Sequence, residues 1–165
     1  MRNLVLLSAV LIGACQSTSV TPVDPMNATY TVNQRQVTMS NGIFEEPAAP
    51  GSAAKTTTRV SDKGAVGELN ADGRPDAAAI LVSSGGGSGT FYYLAAVLGA
   101  AIGKGDSTNA IQLGDRIVVD SVRIEGGKIA VDIVDRRPGD PFTTAPSVKV
   151  TRTFQVKDRT LVEIK

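Results

Sequence analysis

The chain has 165 residues, carries 17 Lys and Arg against 16 Asp and Glu, and contains no histidine, no tryptophan and a single cysteine. Without histidine there is no Ser-His-Asp triad, no Cys-His pair and no zinc site built on imidazole, so catalysis would have to rest on carboxylates, lysine or tyrosine. The balanced charge, with no basic stripe interleaved with aromatics, argues against nucleic acid as a partner.

Arg2 precedes an apolar stretch, Leu4 to Ile12, that ends at Gly13-Ala14-Cys15. The stretch is too short for a bilayer core, which takes roughly 20 residues, and it reads as a secretory signal. Ile12-Gly13-Ala14-Cys15 resembles the bacterial lipobox: a branched apolar residue, two small residues and a cysteine. The resemblance implies that the Cys15 thiol is diacylated, that the chain is cut before it, and that the new amine is acylated as well. The plainer alternatives are an ordinary signal with an incidental cysteine, or a buried core cysteine. The place of Cys15 directly after Gly-Ala, with no second cysteine to form a disulfide, favours the lipobox. Several acyl chains, at roughly 0.8 kcal/mol per buried CH₂, hold a protein on a membrane permanently. Residue 16 is Gln rather than Asp, which by resemblance to the enterobacterial sorting rule points to the outer membrane, facing the periplasm. The expected partners are the membrane, through this lipid, and an envelope protein.

Residues 1–14 are thus expected to be a signal peptide, 15–28 the lipidated cysteine with a flexible Ser/Thr/Pro-rich tether, and 29–165 one globular domain, long enough to bury a core. Short β-like runs punctuated by turn residues begin at Thr29. Thr29 to Val32 and Gln36 to Met39 flank Asn33-Gln34-Arg35 as a hairpin, Asn41-Gly42 is a turn, and Pro47 to Ser52 a loop. Lys55 to Val60 is Thr-rich and strand-like. Ala77 to Val82 and Phe91 to Leu98 are apolar throughout, as central strands covered on both faces are, although Leu94 to Ala101 also suits a helix. Arg116 to Glu125 and Lys128 to Asp135 flank Gly126-Gly127, the clearest hairpin signal, and Asp132 between Val131 and Ile133 marks a wet and a dry face. Ser147 to Val156 and Thr160 to Ile164 make a last hairpin. The fold class expected is mainly β, a single antiparallel β domain, sandwich or open barrel.

One segment has metal-site spacing. From Gly67 to Asp76, oxygen side chains fall at Glu68, Asn70 and Asp72, a glycine follows the third, and Asp76 closes the run. It resembles the Asp-x-Asn-x-Asp-Gly-x-x-Asp loop of FG-GAP and VCBS repeats. That resemblance implies calcium as a cofactor, with Asn70, Asp72 and Asp76 as side-chain ligands and Arg74 as a carbonyl ligand. Glu68 departs from it, being one methylene longer than Asp at the first position. A tight turn capped by Asp76, with no cofactor, is the preferred alternative.

Two further segments carry weaker signals. Gly85 to Gly89 lacks the Lys-Ser/Thr of a phosphate loop and the frame of a nucleophile elbow, so it reads as a linker. Asp135-Arg136-Arg137-Pro138-Gly139-Asp140 reads as a solvated loop with local ion pairs of ~0–1 kcal/mol each, or as a binding edge. Thr29 to Asn33, Asn41-Gly42, Gly67 to Asp76, Gly87 to Leu94 and Leu113 to Ile117 together resemble small bacterial lipoproteins and exported proteins of unassigned function. The expected role is therefore non-enzymatic, structural or binding, with a calcium-stabilised module using the 68–76 loop as the alternative. An enzyme built on carboxylates such as Asp115 and Asp135 is a third possibility.

Overall fold

The computed structural model describes residues 23–100 and 105–165; residues 1–22, with the expected signal peptide, Cys15 and most of the expected tether, lie outside them. Three tight hairpins fix much of the topology. β1 (Thr29–Val32) turns into β2 (Arg35–Thr38) through Asn33 and Gln34. β9 (Val118–Glu125) turns into β10 (Lys128–Asp135) through Gly126 and Gly127, and β11 (Val148–Lys157) into β12 (Thr160–Ile164) through Asp158 and Arg159. In each turn both central residues have positive φ, 49° and 64°, 55° and 73°, and 48° and 61° respectively. That left-handed pair matches the right-handed twist of the flanking strands. Only the middle turn has the glycines that make such a backbone free of steric cost.

The strands form three antiparallel layers. The central sheet runs β3 (Ile43–Pro47), β4 (Lys55–Gly67), β5 (Asp76–Ser84), β6 (Thr90–Leu98) and β7 (Asp106–Ser107), with β8 (Ile111–Asp115) also paired to β6. A second sheet has the order β12-β11-β10-β9, and β1-β2 stands as a two-stranded layer. Ala78, Ile80, Leu94, Ala96 and Leu98 pack against Ile129, Val131, Ile133 and Phe154 of the second sheet. The alternate residues Ala77, Ala79, Leu81, Tyr93, Ala95 and Val97 pack against Tyr30, Val32 and Val37 of the hairpin. β5 and β6 therefore have no wet face, which is why their sequences are apolar without alternation. The strand continues through Leu98, so the helical alternative for Leu94 onward does not form over its described part. The architecture is a β-sandwich with a hairpin laid on the outer face of one sheet.

Alanines stand opposite one another across β5 and β6, Ala78 to Ala96 and Ala79 to Ala95. Small side chains at the middle of the sheet leave room for large ones from the covering layers. Tyr30 and Phe154, one from each side, are fully buried. The Tyr30 hydroxyl donates to Pro25 O at 2.8 Å, so its one polar group is satisfied.

Three features depart from the sequence reading. The ordered domain starts before residue 29: the Asp24 carboxylate accepts from Met26 N at 3.0 Å and Asn27 Nδ2 at 2.8 Å, capping a 3₁₀ turn at Pro25–Asn27. Val23 then packs on the hairpin-side core and Ala28 is buried. β4 runs on from Val60 to Gly67, across a register shift that extrudes Ser61-Asp62-Lys63. The strand resumes at Gly64, where a Cβ would stand 2.9 Å from Ala78 O. Finally, the two sheets are tied by Asn109, whose side-chain Oδ1 accepts from Leu161 N at 2.8 Å while its Nδ2 donates to Leu161 O at 3.2 Å.

Candidate functional site

The segment with metal-like spacing connects β4 to β5, and its oxygens are turned onto its own backbone. Glu68 Oε1 accepts from Asn70 N at 3.1 Å and Ala71 N at 2.8 Å, and Oε2 from Gly73 N at 2.9 Å. Asn70 Oδ1 accepts from Asp72 N at 3.1 Å, and Asp72 Oδ1 from Arg74 N at 2.9 Å. Arg74 Nη1 also donates to Asp72 Oδ2 at 3.2 Å. Asp76 is fully buried and holds two amides, Leu69 N and Gly99 N, both at 2.8 Å. The second contact explains Gly99, because a Cβ there would stand 2.5 Å from Pro75 O.

Electrostatics follow this geometry. Burial pushes the Asp76 carboxyl above its ordinary value of 3.8; the amides of Gly99 and Leu69 oppose that shift, and the nearby charges of Glu68 and Asp72 add to it. Asp72 goes the other way: its desolvation is outweighed by the Arg74 amide, Asn70 and the Arg74 charge, which hold it below 3.8. A calcium loop needs carboxylate and carbonyl oxygens turned to a common point. Here three N–H dipoles, from Asn70, Ala71 and Gly73, point their positive ends at Glu68, and Asp76 divides its carboxylate between Leu69 N of the loop and Gly99 N beyond the end of β6. The residues as placed form a turn that encloses its own anion. The length of Glu68, a departure from the calcium pattern, is what lets its carboxylate reach three amides.

The carboxylates considered for catalysis are held by arginines and main chain. Asp115 accepts from Thr90 N at 2.8 Å and from Arg116 Nη2 at 2.7 Å. The Arg116 guanidinium holds its carboxyl below 3.8 against partial desolvation, helped by Thr90 N–H and the Arg136 charge. Asp135 accepts from Arg136 N at 2.7 Å. Arg136 itself donates to three carbonyls, Asp115 O at 3.1 Å, Arg116 O at 3.2 Å and Thr144 O at 2.5 Å, which pins the 136–147 loop to the β8–β9 corner. Arg116 lies 4.8 Å from the ring centroid of Phe142 in that loop.

A cluster that the sequence reading did not single out surrounds Asp132, on the outer face of the second sheet. Ser121 Oγ donates to it at 2.7 Å and Thr151 Oγ1 at 2.6 Å, and Arg123 pairs with it. These bonds hold its carboxyl far below the ordinary range, the Arg123 contact most of all. The signal in the sequence was only Asp132 at a wet position. Its partners are cross-strand neighbours, and register supplies them.

Among the described residues, cavities open on the surface at several places. One of about 250 Å³ lies along the β4 bulge, between Met26, Val66 and Ala77. One of about 260 Å³ lies beside Asp132 and Lys149. One of about 650 Å³ lies between the Glu68 turn and Gly126-Gly127. No protein-family model matches the chain, and no curated protein or solved structure matches it.

Proposed function

We propose that this is a lipid-anchored protein of the bacterial cell envelope, held through Cys15 on the outer membrane and facing the periplasm, whose sandwich domain has a structural or binding role and no enzymatic one. The observation that carries the reading is the apolar stretch Leu4 to Ile12 ending at Gly13-Ala14-Cys15. The chemistry of the domain supports the non-enzymatic part. A general acid or base works best with a pKa near the operating pH. Asp115, Asp132 and Glu163 are instead locked ionised by Arg116, Arg123 and Arg152, and no histidine stands in for them.

The test is Cys15→Ala in cells fed a palmitate analogue. The wild-type chain is expected to carry label and to sediment with the membrane fraction, and the variant to do neither. A variant that still carries label and stays with membrane overturns the reading.

A further inference from the structure

We infer that the groove along the β4 bulge is the face this domain lays against the phospholipid bilayer. The inference rests on the lipid-anchor reading and adds an orientation to it. Its first support is the path of the chain. Val23 packs on the hairpin side of the central sheet, and Pro25 and Met26 line the groove. Cys15 lies eight residues before Val23, and eight residues span at most about 28 Å when extended. An anchor at Cys15 therefore keeps this face, where the described chain begins, within reach of the bilayer.

The second support is what the face presents. Val66 is 68% exposed and Met26 42% exposed, and they flank a floor that includes Gly64, Ala77 and Ala79. Val66 pairs with Ala77, so it projects from the same side of the sheet as the β1–β2 hairpin. Water gains nothing from an apolar side chain so open, whereas lipid tails remove it from water. The bulge at the rim adds polar groups at headgroup depth. Ser61 Oγ donates to Asp62 Oδ1 at 3.2 Å and accepts from Lys63 N at 3.1 Å. Lys63 is exposed beside it, and its long stem lets an ammonium reach phosphate while the groove meets the tails. Val118, by contrast, is 49% exposed but pairs with Val134 on the outer face of the second sheet, away from the β1–β2 hairpin.

The chain has no tryptophan, so one introduced indole reports its own surroundings. The full-length lipidated protein, carrying Val66→Trp or Val118→Trp, would be purified from membranes and reconstituted into phosphatidylethanolamine–phosphatidylglycerol vesicles, with or without bromine on the acyl chains. Both positions are exposed, and melting curves check that each variant folds. At position 66 emission is expected to shift to the blue and fall by roughly twofold with brominated lipid, as an interfacial side chain should, while position 118 stays unchanged. Equal behaviour at both positions overturns the inference. So does blue-shifted emission at 66 that ignores bromine, which would mean that a protein or the chain's own acyl group covers the groove. Vesicle flotation reads the anchor separately. Protein that floats but shows no quenching at 66 removes this inference alone, and protein that neither carries lipid nor floats removes the anchor reading and this inference with it.

Discussion

Glu68 and Arg136 stand near opposite ends of β10, and each closes an irregular segment with three hydrogen bonds to main chain. Glu68 is an anion receiving three amides, and Arg136 is a cation giving to three carbonyls. They differ in span. The partners of Glu68 lie two, three and five residues away, inside one turn, so these three bonds need no partner from elsewhere in the fold. The partners of Arg136 lie 8, 20 and 21 residues away, so its cage exists only once β8, β9 and the 136–147 loop have met. A charged side chain can thus close a loop locally or join distant segments, and the two uses respond differently to mutation.

The largest effect is expected behind the Glu68 turn, at Asp76. Asp76→Ala leaves the buried amide of Leu69 and the part-buried amide of Gly99 without an acceptor. It should cost about 3–4 kcal/mol, since each buried orphan costs about 1–3 kcal/mol. Chemical denaturation measures it, and a loss below 1 kcal/mol would mean that water reaches those amides. Arg136→Met comes next, at about 1–3 kcal/mol, reduced because the side chain is only half-buried. Its signature is local: limited proteolysis should cut within residues 136–147 before the domain unfolds. Uniform resistance there would show that Arg116 and Phe142 hold the loop unaided.

The smallest effect is the most discriminating. Glu68→Asp shortens the side chain by one methylene and should lose one or two of its three amides, at about 0.5–1.5 kcal/mol. Calcium and chelator should leave the melting temperature of both proteins unchanged. If the loop instead binds calcium, the aspartate is the better first ligand, and ligand binding to the native state alone raises stability. A chelator-reversible rise that grows in the variant would therefore reverse the account of Glu68.

These spans also explain what could be read from the chain. Hairpins and apolar runs depend on neighbours in sequence, and Gly126-Gly127 and the two-faced strands β5 and β6 were legible for that reason. The Glu68 to Asp76 spacing was legible too, but only as oxygens at alternate positions. Whether those oxygens face a cation or the loop's own amides depends on dihedral angles that spacing does not specify. Arg136 looked like one charge in a solvated loop because its carbonyls come from elsewhere in the chain. The second half of β4 was hidden by Ser61-Asp62-Lys63, whose extrusion breaks the two-residue period. Val23 to Ala28 read as tether because a capped 3₁₀ turn has the same Asp-Pro composition as a linker.

The Asn109 side chain, placed in the fold as a tie between the sheets, has a consequence for how copies of this protein meet. β12 is the last strand of its sheet, and an edge with free amides and carbonyls is a template for strands of other molecules. At Leu161 both outward groups are already taken by one carboxamide, which imitates a neighbouring strand for the length of a single residue. A foreign strand approaching that edge would have to displace Asn109 before its second bond could form. The β12 edge is thereby closed at Leu161 to strands of other molecules.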